Sequence, residues 1–396
     1  MTEQTHNEQL VKRRFSRRVF LKRSAIGVGG VVGTLSFARI GSNELFSEPF
    51  SISNTELLKQ ALDRQRQDPT TSPEFGLYPD FERSRDPWGS VDEVTAEVGR
   101  NDYVGIFALF EDFWNAAGCE RITATLKRIH ARGSTPVLSL GTIGAYSIHK
   151  DLALHTHDHP LGRSNFDWIK KNALHIAAIL CELDFRIDIR FLFEHNLRNS
   201  FVYGPNESIS DEEHTYGYKR AVVAFKTAME LYRRAETRVI FNPGANTGLT
   251  FESFADTFPA NKRKTFVDAM GVDIYDLFPG KGMIFHPYYW VYGKRSPDDV
   301  LLPALKELQA LSTSHSHTPF FIYEIGSMTK DVAWIQRAAL WLFALGGRGL
   351  LHFNYDKSQS GKLFEADWTI DTAIATLYKS LFDALSQFAQ KPHHRS

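Results

Sequence analysis

The chain has two cysteines in 396 residues, too few for a disulfide scaffold. No apolar run reaches the roughly 18–20 residues that a membrane-spanning helix needs, which excludes an integral helical membrane protein. Charge of one sign is not in excess: 46 basic residues balance 46 acidic ones, which excludes a nucleic-acid binder built on a basic surface. Neither G-x-G-x-x-G nor G-x-x-x-x-G-K-[ST] occurs, so no nucleotide site is signalled. G-x-S-x-G is also missing, which leaves an α/β-hydrolase unsupported. No repeat of solenoid period is present. What is there is globular: 43% hydrophobic, 23% charged and 13% aromatic, outside the disordered and collagen-like classes.

The neutral total hides a local asymmetry. Up to Ala38 there are seven basic residues (Lys12, Arg13, Arg14, Arg17, Arg18, Lys22, Arg23) and two acidic ones (Glu3, Glu8). Taking these from 46 and 46 leaves the remainder at net −5. The basic cluster precedes a short apolar stretch, Ala25 to Phe37, as in an export signal. Ser16-Arg17-Arg18-Val19-Phe20-Leu21-Lys22 matches the twin-arginine pattern S-R-R-x-F-L-K. Ser36 and Ala38 supply small residues for cleavage after Ala38, and no cysteine follows for a lipid anchor. The expected organisation is a twin-arginine signal peptide over 1–38, a linker and N-terminal extension over 39–70, and one domain over 71–396. The translocation machinery is then one partner, and no stable membrane insertion follows cleavage. Such signals export folded proteins, so Cys119 and Cys181 need not pair and read as small buried residues.

Beyond the extension, short apolar, β-branched runs alternate with amphipathic stretches, the pattern of βα units and a parallel sheet. The strand candidates are Phe75–Pro79, Tyr103–Leu109, Thr135–Leu140, Asp188–Phe193, Arg238–Asn242, Ala269–Tyr275, Pro319–Tyr323 and Gly349–Phe353. Helical patterns cover Glu120–Arg132, Asp167–Leu183, Glu212–Arg234, Pro297–Leu311, Ala333–Leu345 and Thr372–Phe388. Eight strands with intervening helices predict an α/β (β/α)₈ barrel as a single catalytic domain. A doubly wound open sheet is the alternative, but Phe75-Gly76-Leu77-Tyr78-Pro79-Asp80 carries no phosphate loop.

Barrel active sites lie at the C-terminal strand ends. Glu194 follows the fourth strand candidate and Glu324 the seventh, each where a strand meets its loop. Asn242, Asp273, Tyr275, His352 and Asn354 end other strands. Two facing carboxyls are what glycoside hydrolysis needs, one to protonate the leaving oxygen and one to attack or stabilise the oxocarbenium-like centre. For either Glu alone, a salt-bridged loop residue is the plainer reading; the joint placement points to catalysis.

These segments resemble retaining glycoside hydrolases of the (β/α)₈ clan, and most closely glycoside hydrolase family 26, the β-mannanase-like family. The resemblance covers most of the chain after about residue 70. Arg190-Phe191-Leu192-Phe193-Glu194-His195-Asn196-Leu197 is similar to the family's R-x-x-H-E-M-N-G, with Phe193 and Leu197 in place of the His and Gly. Tyr323-Glu324-Ile325-Gly326 is similar to its E-[FI]-G strand ending, and Val272-Asp273-Ile274-Tyr275 to its sixth strand. Phe353-Asn354 with Asp367-Trp368, and Asn165-Phe166-Asp167-Trp168, resemble its eighth-strand and third-helix segments. The resemblance implies Glu194 as acid/base, Glu324 as nucleophile and Tyr275 as a hydrogen-bond partner of that nucleophile. It implies a hydrolase acting on a β-linked polysaccharide or oligosaccharide, β-mannan first; with the twin-arginine segment the expectation is an exported enzyme, with no cofactor and no metal. Arg190, Asn196 and Tyr275 would position the carboxyls or the sugar hydroxyls.

Sugars stack their C–H faces on aromatic rings, and Trp114, Trp290 and Trp368 are the expected platforms. Two other readings stay open. One is a non-catalytic carbohydrate-binding barrel that handles extracellular polysaccharide. The other is a metal hydrolase using His155-Thr156-His157-Asp158-His159, where alternate histidines could share a Zn²⁺, although a surface loop rich in His is the plainer reading.

Overall fold

The computed structural model describes residues 52–69, 72–81, 84–141, 166–194, 211–232, 237–244, 254–262, 264–276, 296–356 and 367–387. Eight parallel strands form a closed barrel in sequence order: β1 Glu74–Pro79, β2 Tyr103–Leu109, β3 Thr135–Gly141, β4 Ile187–Phe191, β5 Thr237–Phe241, β6 Ala269–Asp276, β7 Phe320–Ser327 and β8 Gly349–Asn354. Closure is made by six paired positions between β1 and β8, from Glu74 with Gly349 to Pro79 with Asn354. The (β/α)₈ expectation holds, and all eight strands fall where the apolar runs put them.

Alternation along each strand separates two cores. Tyr78, Tyr103, Val137, Ile240, Ala269, Phe321, Tyr323, Leu351 and Phe353 fill the barrel. The residues between them, such as Leu77, Leu138, Ile189 and Leu350, pack outward under the helices. Two glycines make the interior possible. A Cβ on Gly105 would lie 2.1 Å from the Tyr78 ring, and one on Gly271 would lie 2.2 Å from the Tyr323 ring.

The helices are α1 Asn54–Gln67, α2 Pro87–Val98, α3 Ala116–Ala131, α4 Phe166–Leu180, α5 Asp211–Tyr232, α6 Phe254–Thr257, α7 Pro297–Val300, α8 Leu302–Ser314, α9 Val332–Ala344 and α10 Thr372–Ser386. Three differences from the sequence expectation have physical reasons. The N-terminal extension contains α1, a polar helix that buries only Leu57 and Ala61; Arg64 Nε donates to Ala344 O at 2.6 Å, docking it on α9. The sequence reading also omits α2, although Asp86 caps it, Pro87 opens it and Gly99 closes it at φ 85°. The helix expected over Pro297–Leu311 is broken at Leu301, because Pro303 opens a second helix instead of extending the first.

The N-terminal end of the barrel is closed by charge. Asp188 is fully buried and accepts from Arg186 Nε and Nη2 at 2.9 and 3.0 Å, and from Arg238 Nε and Nη2 at 3.1 and 2.8 Å. Tyr103 OH donates to Glu74 Oε2 at 2.9 Å beside them. Removing the carboxylate leaves two guanidiniums without their shared acceptor, with only Glu74 nearby as a counter-charge. Asp188→Ala is therefore expected to lose about 3 kcal/mol of stability by urea unfolding, with the barrel mouth unaffected.

Candidate active site

The C-terminal end is organised by a cation. Arg190 alternates with Asp188 on β4, so both side chains enter the barrel, while Ile187, Ile189 and Phe191 pack outward. Arg190 has no solvent exposure. Its Nη1 lies 2.8 Å from each of Tyr78 OH, Ser139 Oγ and Glu324 Oε1. Its Nη2 donates to Asp273 Oδ2 at 2.5 Å, which also accepts from Asn242 Nδ2 at 2.9 Å. Burial alone would lower the guanidinium pKa; the carboxylates of Asp273 and Glu324 outweigh it and hold the value well above the arginine range. Tyr78 is pushed up by burial and stays a neutral phenol despite Arg190.

Glu324 is not at the strand–loop junction expected from sequence. It lies within β7, which continues to Ser327. Strict alternation from Phe321 and Tyr323, both inward, would aim Glu324 outward. The β6–β7 pairing instead steps from Val272 with Ile322 to Asp273 with Glu324, skipping Tyr323. This bulge turns two successive residues, Tyr323 and Glu324, into the barrel. The Glu324 carboxyl then meets Arg190 through Oε1 and accepts from Tyr275 OH through Oε2.

Glu194 lies three residues past the end of β4 in a turn whose backbone is unusual. Leu192 (φ 52°) and Glu194 (φ 53°) both take the left-handed conformation without being glycine, a strain of order 1 kcal/mol each. Two backbone bonds hold the turn: Leu192 N donates to Leu140 O at 3.0 Å and Glu194 N to Asn242 O at 2.8 Å. Glu194 is buried at the same end of the barrel as Glu324. A hydrogen-bonded path joins them through Asn242, Asp273 and Arg190.

Of the remaining expected site residues, Tyr275 and Trp368 join this cluster. Trp368 is 3% exposed, and its ring lies 5.2 Å from that of Tyr275 at 73°. It is therefore a packed wall and not the open platform expected. Trp114, directly after the turn that follows β2, is exposed, and its Nε1 donates to Asn172 Oδ1 of α4 at 2.5 Å. Asn196, Trp290, the His155–His159 cluster and the whole twin-arginine segment lie outside the described residues. Among the described residues there is no group of three potential metal ligands, no helix long and apolar enough to cross a membrane, and both cysteines are free.

Sequence reasoning missed Ser139 and Glu111. Ser139 is legible only as an inward polar position on an otherwise apolar strand. Glu111 lies in a single 3₁₀ turn, Phe110–Phe113, after β2.

No protein-family model matches the chain, and no curated protein matches it. Solved structures do. A family 26 β-mannanase from Bacteroides ovatus superposes with TM-score 0.52 at 13% identity, over 87% of this chain and all of that one. A Cellulomonas fimi endo-β-1,4-mannanase double mutant gives 0.51 at 12% identity, over 85% and 74%. A β-glycosidase from Pyrococcus horikoshii gives 0.50 at 12% identity, over 82% and 98%. At these identities the likeness establishes the (β/α)₈ fold.

The Glu111 carboxyl oxygens are buried with no hydrogen bond from another residue, and burial raises its pKa to about 7. Because the folded value exceeds the unfolded one, Glu111 favours the fold at acidic pH, and that contribution is lost as pH rises from about 4.5 to 7. Glu111→Gln is expected to flatten the pH dependence of the urea midpoint over this range and to be roughly 2–3 kcal/mol more stable than the parent at pH 8.

Proposed function

We propose that this protein is an exported retaining glycoside hydrolase that cleaves a β-linked polysaccharide, β-mannan first, by double displacement. The observation that carries the reading is Glu324. A bulge turns this carboxylate into the barrel mouth, where Arg190 holds one oxygen and Tyr275 the other, and a second buried glutamate, Glu194, shares that end. In this scheme Glu194 protonates the glycosidic oxygen while Glu324 attacks the anomeric carbon. The leaving sugar departs as an alcohol and a glycosyl–Glu324 ester forms. Glu194, now a carboxylate, takes a proton from water as that water attacks the anomeric carbon and breaks its bond to Glu324, which regenerates both groups. Arg190 and Tyr275 fix the direction of the Glu324 lone pairs, and Asp273 fixes Arg190. Asn196, Trp114, Trp290 and Trp368 belong to the proposed sugar-binding set, with Trp368 as an enclosing wall. The mannanase structures of the same fold support β-mannan as the first substrate to test, and the twin-arginine segment supports a destination in the periplasm, at the cell surface or in the medium.

The test is release of new reducing ends from β-mannan, β-1,3-xylan and mixed-linkage glucan. Glu324→Gln is expected to lose roughly 10⁴-fold or more in kcat while keeping its circular dichroism. Glu194→Ala is expected to recover turnover of an activated aryl glycoside when azide is added, because azide needs no general base. Parental activity in Glu324→Gln overturns the assignment. Glycan binding without product from the parent replaces it with a non-catalytic carbohydrate-binding barrel.

A further inference from the structure

The proposed mechanism makes no use of His352, a buried histidine on β8. Its neighbours Leu351 and Phe353 point into the barrel, whereas His352 meets α10 on the outside. The imidazole is 1% exposed. Its Nε2 lies 3.0 Å from Trp368 O, and its Nδ1 lies 2.9 Å from Tyr378 OH. A backbone carbonyl can only accept, so Nε2 carries the proton. Nδ1 is then a bare lone pair, and the Tyr378 hydroxyl donates to it. Burial lowers the His352 pKa to about 4, so this single neutral tautomer persists at ordinary pH.

The carbonyl it holds belongs to a stapled segment. Trp368 N donates to Tyr355 O at 2.8 Å. Ile370 N donates to Asn354 Oδ1 at 2.8 Å, and Asn354 Nδ2 donates to Ser90 Oγ of α2 at 2.9 Å. Lys330 pairs with Asp367 at 2.7 Å. The outcome is a fixed indole. A Cβ on Gly326 would come within 2.8 Å of Trp368 Cε3, and the same ring packs edge-on against Tyr275, which donates to Glu324.

We propose that His352 is a positioning residue: it holds the Trp368 carbonyl so that the indole closes over Gly326 and braces Tyr275 beside Glu324. The consequence for catalysis rests on the glycosidase reading; the staple itself does not. His352 reaches no reacting atom and acts through Trp368 and Tyr275.

The experiment compares His352→Gln with His352→Asn in the full chain. The Gln amide nitrogen can take the place of Nε2 and donate to Trp368 O. The shorter Asn amide reaches only the Nδ1 position beside Tyr378. Hydrogen exchange at the Trp368 and Ile370 amides is read beside kcat and KM on the best glycan. His352→Asn is expected to speed both exchange rates at least tenfold, to raise KM about tenfold, and to leave the amides of β2 and β3 unchanged. His352→Gln is expected to stay within threefold of the parent in every measure. Parental exchange in His352→Asn overturns the staple. Faster exchange with parental kcat and KM overturns its role in the site. Equal defects in both variants make His352 a packing residue and also overturn the proposal. A parent without glycan turnover defeats the glycosidase reading instead, and exchange still decides the staple.

Discussion

A guanidinium with no access to water must have its charge answered on the spot, and Arg190 sets that requirement for the whole mouth of the barrel. Four strands answer it: Tyr78 from β1, Ser139 from β3, Asp273 from β6 and Glu324 from β7 converge on the Arg190 of β4. The cost of desolvating a cation is repaid only when geometry is good and lone pairs are fully used. Loss of any one partner therefore strains the others. The packing answers the same demand. Gly105 and Gly271 are bare so that the Tyr78 and Tyr323 rings can lie across the interior, and Tyr78 reaches Arg190 only because its ring does.

The two ends of the barrel use the same chemistry in opposite proportion. At the closed end one carboxylate, Asp188, is saturated by four donors from two arginines. At the mouth one arginine is shared by two carboxylates. A saturated anion offers nothing to a ligand, so the first arrangement serves the fold. Two acids sharing one cation keep acceptor capacity in reserve, so the second can serve a reaction. Both arise from one strand, because Asp188 and Arg190 stand two residues apart on the inward face of β4.

That strand also shows what could be read in advance. Ile187-Asp188-Ile189-Arg190-Phe191 is an alternation in which the polar residues face the barrel and the apolar ones face the helices. The eight strands were legible because each is a short β-branched or aromatic run bounded by turn residues. Glu194 and Glu324 were legible as acids near strand ends, Tyr275 as the aromatic ending the sixth strand candidate, and Trp368 as an aromatic after a strand. The aim of Glu324 was not. A bulge inserts one residue into a ladder and leaves no mark on composition, so alternation alone sends this side chain the wrong way. The left-handed backbone at Leu192 and Glu194 was equally hidden, since leucine and glutamate do not announce it as glycine would. Helix α1 escaped because its buried stripe is only Leu57 and Ala61, too thin for a periodicity argument.

Phe193 shows how strain and specificity meet. It sits between the two left-handed residues, so the turn that presents Glu194 also commits Phe193 to the interior, where its ring lies 4.9 Å from the Arg190 guanidinium and 5.7 Å from Phe107. A ring face over a buried cation adds attraction without taking a hydrogen-bond acceptor, so Phe193 shields Arg190 and leaves its donors to Glu324 and Asp273. Phe107 continues the wall to Phe353 and Tyr355 at 6.4 and 6.2 Å, and Phe353 continues it to Tyr275 at 5.6 Å. Carboxylates therefore border an aromatic surface that runs from Phe193 in the turn after β4 through Phe107 on β2 and Phe353 on β8 to Tyr275 on β6. Such a border suits a neutral ring with a C–H face and a single reacting oxygen better than it suits an anionic one: the carbon wall gives an anion no donor, and the acids repel it.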